Sequence, residues 1–419
     1  MSRGTRKKFL SLFIGVSLIS VFIFNAQISL AGPAPTTITN CQELQDIDKN
    51  LAGTYELGNN IDCSDTITWN EGKGFDPIGK FDTIPFTGSL NGNYHVINDL
   101  YINRGWFGSM GVGLFSYING GSIGNVGLEN VNITGGSWVG ALVGHDTNGT
   151  IVNSYSTGKV IGQWASSGSP WTVVGGLVGM TEGATTISNS FSKATVSGGE
   201  RVGGLVGYNH SSKIAHSYST GKITGTNEVG GLVGFNTVST ISHSYSIGMV
   251  SGTTEVGGLV GLNYKNSTIS DSYWDKETSG MTTMCGYETY GASGCNNSFG
   301  KMTVEMKKQA TFANWDFESM WSMYEDASYP WLQWQFKKIP IPGDLNGDGK
   351  VSVVDVQCAI LVVQSELNEK KGELPACLVS LDPTLVDLNK DDKINVVDVL
   401  IFVDYSLKNV SSPSKASRR

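Results

Sequence analysis

A near-verbatim internal repeat constrains this chain more than any other feature. RVGGLVGYN at residues 201–209 returns as EVGGLVGFN at 228–236 and EVGGLVGLN at 255–263. Aligned on the motif Leu, the register runs through Leu114, Leu142, Leu177, Leu205, Leu232 and Leu259, at intervals of 28, 35, 28, 27 and 27 residues. From Leu142 onward an Ile follows nine or ten residues later: Ile151, Ile187, Ile214, Ile241 and Ile269. Four residues further comes a ring, at Tyr155, Phe191, Tyr218, Tyr245 and Tyr273. Val160, Val196, Ile223 and Val250 follow five residues after the first four of these.

A period of this length marks stacked supersecondary units. Runs such as ISHSYSIGMVSG alternate β-formers with small polar residues and close on Gly, and the repeats carry no apolar period of 3.6. Helical solenoids are excluded. The expected fold is mainly β, a parallel β-solenoid (right-handed β-helix-like) of about 27-residue rungs. Each strand would bond to its copy roughly 4.8 Å along the axis. Val202 and Leu205 have opposite parity, so the Gly pair between them is expected to turn a corner through dihedrals closed to other residues. Leu-on-Leu and Tyr-on-Tyr columns would then share one core.

Composition agrees with an exported, turn-rich β protein. Charged residues are only 16% of the 419, and Gly numbers 54. Residues 1–31 read as a signal peptide: Arg3, Arg6, Lys7 and Lys8, an apolar run from Phe9 to Phe24, then small residues at Ser29 and Ala31. Removing those four cations takes the formal charge from −8 to −12, which disfavours nucleic acid or anionic lipid as partner. No later stretch is long and apolar enough to span a membrane. Location outside the cell, secreted or on a bacterial-type surface, is the expectation. Six cysteines in such a chain suggest disulfides, with Cys41/Cys63, Cys285/Cys295 and Cys358/Cys377 as the local pairing among fifteen connectivities.

VGGLVG followed by I-x-x-S-Y-S-x-G resembles the GLUG motif of bacterial surface proteins, across roughly residues 37–335. ITNCQELQDIDKNLAGTYELGNNID and FTGSLNGNYHVINDLYIN resemble the family's N-terminal cap, and SYWDKETSG and SYPWLQWQ its C-terminal end. The resemblance implies a setting among adhesins, filamentous-haemagglutinin-like exoproteins and proteins with an IgA-cleaving metallopeptidase domain. It marks a fold, not an activity.

No catalytic constellation emerges from the coil. Its acids include Asp146, Glu182, Glu200, Glu228, Glu255, Asp271, Asp275 and Glu277, with no evident pair flanking a bond. Glu228 and Glu255 repeat at a corner and read as a solvated column. His216 and His243 share a repeat position with Asn153, Asn189 and Asp271, a polar surface column. No His-Glu-x-x-His and no nucleophile elbow is present. The 35-residue interval carries eight extra residues in GQWASSGSPW, putting Trp164 and Trp171 on a bulging loop. With Trp138 they are candidate ligand-binding rings, either stacking on polysaccharide or shielding the core edge.

After the Pro-rich linker KKIPIPG comes DLNGDGKVSVVD at 344–355, and 43 residues later DLNKDDKINVVD at 387–398. Both fit a twelve-residue calcium loop. Asp344, Asn346, Asp348, Ser352 and Asp355, with the Lys350 carbonyl, would hold one ion. Asp387, Asn389, Asp391, Asn395 and Asp398, with the Lys393 carbonyl, would hold a second. Position six is Gly349 in the first loop and Asp392 in the second, so the second site is expected to be weaker. An apolar helical run follows each loop but none precedes the first. Loop-helix twice over, with Asp at position twelve, resembles the dockerin domain (type I-like), which implies a small all-α calcium-binding domain after the solenoid. That resemblance implies a cohesin-type partner; Val353, Val354, Val396 and Val397 stand where the family often has a Ser-Thr-like pair, and either read an apolar class of cohesin or pack the helices.

The expected organisation is a signal peptide at 1–31, cap and first rungs at 32–111, GLUG solenoid at 112–275 and solenoid cap at 276–336. A linker at 337–343, the dockerin at 344–408 and a disordered tail at 409–419 complete it. The leading functional expectation is an exported, non-catalytic binding or scaffold protein whose solenoid arm is anchored through a calcium-dependent dockerin to a cohesin-bearing partner. The alternatives are a dockerin-borne polysaccharide-degrading β-helix enzyme and a cell-surface adhesin. Enzymatic activity is left open, with polysaccharide as its expected substrate.

Overall fold

In a computed structural model, the described residues are 34–336 apart from 82, 106–109 and 164–171, together with 357, 358 and 360. They form a parallel β-solenoid with one short strand per face per turn. A representative turn runs Glu200–Gly203, Val206–His210, Lys213–Ala215, Tyr218–Ser219 and Ile223–Thr224, and re-enters at Asn227–Gly230. Every strand in it pairs in parallel with the residue 27 positions on, as in Val202 with Val229 and Ile214 with Ile241.

Four stacked sheets result. The nine-stranded isoleucine sheet aligns Leu90, Ile123, Ile151, Ile187, Ile214, Ile241 and Ile269. The seven-stranded valine sheet aligns Phe115, Val143, Val178, Val206, Val233, Val260 and Cys285. A six-stranded corner sheet carries Val112, Val139, Val174, Val202, Val229 and Val256. The thirteen-stranded aromatic sheet closes the coil. All six motif leucines are fully buried. They stack through their backbones, with Leu205 N–H on the Leu232 carbonyl at 2.9 Å and Leu232 N–H on Leu259 at 2.8 Å.

The glycine pair does turn the corner, but not by unusual dihedrals. Neither Gly203 nor Gly204 has positive φ. What forbids a side chain is space: a Cβ on Gly204 would collide with the Gly231 carbonyl and, at 2.6 Å, with the Ser219 hydroxyl. The left-handed residue of the corner is instead the one before the valine, Arg201 at φ 48°, Glu228 at 53° and Glu255 at 52°.

The S-Y-S segment faces that glycine pair. Its second Ser points inward: Ser156 donates to the Gly176 carbonyl at 2.7 Å, and Ser219 donates likewise to Gly231. The first Ser, at 154, 190, 217 and 244, accepts from or donates to backbone on both sides, leaving each hydroxyl satisfied although buried. Trp274 takes the inward Ser position in the last turn. It is fully buried and donates from Nε1 to the Met281 carbonyl at 3.1 Å, plugging the end of the core.

The expectation of one shared core needs correction. The rings between the paired serines point outward, because strand parity places Tyr on the opposite face from its Ser neighbours' interior contacts. Phe191, Tyr218, Tyr245 and Tyr273 form a second cluster with Met306, Phe312, Trp315, Trp321 and Leu332, separate from the aliphatic interior. Residues 303–336 run back along the coil as a strap over this column. Thr303 hydroxyl donates to Asp275 at 2.7 Å, Tyr245 hydroxyl to the Pro330 carbonyl at 2.6 Å, and Trp334 Nε1 to the Asn189 carbonyl at 2.8 Å. SYPWLQWQ therefore covers a side of the coil and not its tip.

Disulfides join Cys41 to Cys63 and Cys285 to Cys295. Cys358 is disulfide-bonded, while Cys377 lies outside the described residues. Among the described residues no helix is long and apolar enough to cross a membrane.

Candidate functional site

The outward side of the valine sheet concentrates the chemistry that the coil presents. In each turn the residue two after the motif valine points out, giving the column Tyr117, His145, Met180, Tyr208, Phe235, Leu262 and Tyr287. Two residues further lies a second outward column, with Thr147, Glu182, His210, Thr237, Tyr264 and Thr289. The left-handed corner supplies a third, with Trp138, Arg201, Glu228 and Glu255. A positive φ throws these side chains toward the sheet's outer face.

At one end of this face His145 is 4% exposed amid Phe81, Tyr117 and Trp138, at centroid distances of 5.3, 5.2 and 5.1 Å. Its Nε2 lies 3.4 Å from Glu182, whose other oxygen is 3.9 Å from His210 Nδ1. Burial holds the His145 imidazole below its ordinary range, with Glu182 pulling the other way. Further along, the Arg201 guanidinium sits 4.8 Å above both Tyr208 and Phe235, which stack on each other at 4.9 Å. Its Nε donates to Glu228 at 2.8 Å. Burial, and then the Glu228 charge, raise both Glu200 and Glu255 above the ordinary carboxylate value.

Glu228 is thus not part of a solvated column: its side chain is 12% exposed and ion-paired. The histidine column is also less exposed than its sequence suggests. His216 and His243 are half-buried and stack at 5.0 Å, with His243 Nε2 4.0 Å from Asp271. Like Asn153 and Asn189, they occupy a left-handed corner, which explains the recurrence of Asn there.

Trp138 is half-buried and packs on Phe81 at 4.5 Å. Trp164 and Trp171 lie outside the described residues. So do both Asp/Asn-rich segments at 344–355 and 387–398, with Val353, Val354, Val396 and Val397. Among the described residues no group of three or more His, Cys, Asp or Glu could hold a metal ion.

Two features escaped the sequence reading. The ring-bearing column was legible as the one variable site in VGYN, VGFN and VGLN, since an outward residue is free of the coil's packing. The Asn that follows it points inward and forms a buried ladder. Thr181 donates to Asn209 at 2.8 Å, Asn209 to Asn236 at 2.8 Å, Asn236 to Asn263 at 2.9 Å, and Asn263 to Glu288 at 3.0 Å. Asp146 heads this column, in register with Thr181. It is fully buried, and burial pushes its carboxyl up to about 7 against weaker opposition from Gly149 and Thr185.

Against known proteins, residues 36–158 match the M26 IgA1-specific metallo-endopeptidase N-terminal region, and residues 198–224 match the GLUG motif. The chain is 36% identical over 161 residues to halomucin from Haloquadratum walsbyi, covering 37% of this chain and 2% of halomucin. It is 27% identical over 167 residues to the immunoglobulin A1 protease of Streptococcus pneumoniae, covering 39% of this chain and 8% of that protein. This chain therefore spans a small fraction of these curated relatives. A crystal structure of a candidate immunoglobulin A1 protease from Bacteroides ovatus superposes with a TM-score of 0.53 at 20% identity, covering 72% of this chain and 92% of that one. That likeness shows the fold alone. The expectation of a scaffold arm tethered by a dockerin to a cohesin is overturned: the matched stretches, 36–158 and 198–224, liken the solenoid to the N-terminal region of IgA1-specific metallo-endopeptidases and to GLUG-motif proteins.

Proposed function

We infer that this chain is a protease-related extracellular protein whose solenoid engages a protein substrate across the outward side of the valine sheet. The observation that carries this reading is the match of residues 36–158 to the N-terminal region of IgA1-specific metallo-endopeptidases. That stretch contributes Phe81, Tyr117, Trp138 and His145, the aromatic end of the face. Half-buried rings bordered by ionisable groups are the surface composition that protein recognition favours. The disulfides Cys41–Cys63 and Cys285–Cys295 support an oxidising compartment, as does the basic-apolar leader at 1–31. The two Asp/Asn-rich loops are proposed calcium sites, on the support of their duplicated ligand spacing.

The test is binding of the full chain to immobilised immunoglobulin A1, with immunoglobulin G as reference. Saturable binding to the first, weakened at least tenfold by Trp138→Ala, supports the reading. Equal retention of both immunoglobulins, or none of either, overturns it.

A further inference from the structure

A cleft of about 570 Å³ opens in the N-terminal cap and shares no residue with the aromatic face of the valine sheet. Its wall comes from the helical segment Cys41–Gln45, the turn Asp46–Lys49 and the turn Trp69–Gly72, joined by Asp76. The protein's own hydrogen bonds hold the polar groups of this wall. Gln45 exchanges two with the Asp76 backbone, Nε2 donating to the carbonyl and Oε1 accepting from the N–H, both at 2.9 Å. Asp48 accepts from Gly79 N–H at 2.9 Å, Asn70 Nδ2 donates to the Gly74 carbonyl at 2.8 Å, and Gln42 Nε2 donates to Asp46 at 3.3 Å. Gln42, Asp48, Asn70 and Asp76 each keep a side-chain oxygen that makes no bond among the described residues. Amides and an indole make up half of the wall, and two of its three carboxylates are neutralised: Asp46 by Lys49 at 2.7 Å and Asp76 by Arg104 at 3.1 Å. The indole is Trp69, half-buried and nearly parallel to Phe75 at 6.3 Å. Left-handed backbone sets it there, with Asn70 at φ 52°, Glu71 at 59° and Gly72 at 79°. Two successive non-Gly residues in that region are costly. The run folds the chain so that Gly74 N–H returns to the Trp69 carbonyl at 3.0 Å, which keeps Trp69 and Asn70 in one wall with the helix.

We propose that this cleft binds one or two rings of a neutral sugar chain, packed on Trp69 and hydrogen-bonded through sugar hydroxyls to Gln42, Asp48, Asn70 and Asp76. A wall of acceptor oxygens calls for a ligand made of O–H donors. An indole among them calls for C–H groups on the same ligand, drawn to the negative face of the ring. A sugar ring carries both. The volume lies in the range of small-ligand sites, and acceptors already held in place lower the ordering cost of binding. An apolar ligand would find a single ring in the wall, and an anionic one would meet Asp46, Asp48 and Asp76. Among the described residues no group of acids could hold a metal ion. The proposal does not rest on the reading of the valine-sheet face.

The test is retention of the full chain on an array of neutral oligosaccharides and their sialylated and sulfated counterparts, followed by calorimetry with the tightest neutral one. The expected result is that neutral oligosaccharides bind and their acidic counterparts bind at least fivefold more weakly. Trp69→Ala weakens neutral binding at least tenfold. Asn70→Gly weakens it at least fivefold, the order of one hydrogen bond. Because Gly adopts the φ of 52° freely, that variant keeps the turn and an unchanged melting temperature. Tyr324→Ala, removal of a ring 70% exposed on the strap, leaves binding unchanged. No retained oligosaccharide, equal binding of acidic and neutral ones, or equal effects of Asn70→Gly and Tyr324→Ala overturns the proposal. Because no immunoglobulin enters this assay, its failure is separate from failure of the immunoglobulin A1 test.

Discussion

The hydroxyl of Ser156 donates to the carbonyl of Gly176 at 2.7 Å, joining the second Ser of one S-Y-S segment to the second Gly of the next VGGLVG segment. The two halves of the repeat motif are therefore one contact. Gly keeps the walls of the coil close, and Ser satisfies the carbonyl that this closeness buries. At Gly231 an added Cβ would meet the Gly258 carbonyl and the Ser246 hydroxyl. Gly231→Ala should cost about 3 kcal/mol from overpacking and a lost hydrogen bond. Urea unfolding checks it, with exposed Thr226→Ala as a control near zero. A Gly231→Ala cost below about 1 kcal/mol would mean that the coil can widen there.

Asp146 makes stability depend on pH. Its carboxyl is pushed from about 3.8 up to about 7 by burial, so the native state holds the proton more tightly than the unfolded chain. Its share of stability is intact below about pH 3.8, falls as pH rises, and is lost above about pH 7. Asp146→Asn removes this dependence and extends the amide ladder by one residue. The variant should melt above the wild type at pH 8 and close to it at pH 4. An unchanged difference at both pH values would show that Asp146 is ionised throughout.

The strap packs on the coil's outward rings in a cluster separate from the aliphatic interior, so it should come away from the coil under stress. Trp321 is fully buried against Tyr218 and Tyr245, at 6.2 and 6.0 Å. Trp321→Ala should cost about 3–5 kcal/mol of strap docking while the parallel coil persists. Hydrogen exchange should then quicken at residues 303–336 and leave residues 174–270 protected. Uniform loss of protection would instead make the strap part of the folding unit.

How much of this was legible follows from which residues repeat. The Leu, Val and Ile columns were readable because a solenoid stacks equivalent positions. The corner was readable from parity at Val202 and Leu205. The glycines' reason was not, since a Cβ clash with Ser219 involves a contact across the coil. The outward direction of Tyr218 was missed for a related cause: a buried ring reads as core, and the strap that buries it lies about a hundred residues further on. On the face, Glu228 reads from the sequence as part of a solvated column, because the left-handed corner that sets it beside Arg201 carries no sequence signal of its own.

Calcium is the sharpest remaining expectation of the sequence. The segments 344–355 and 387–398 place oxygen donors at alternate positions, the spacing that turns successive side chains into a tight loop around a hard cation. Titration of the full chain should register about two ions, the weaker assigned to the second loop because Asp392 stands where the first has Gly349. Asp348→Ala should remove the tighter phase and Asp391→Ala the weaker one. Removal of calcium by chelation should leave the melting of the coil unchanged, since among the described residues no metal cluster occurs. A titration without heat, or one in which both variants still bind two ions, would reduce the two loops to Asp/Asn-rich turns.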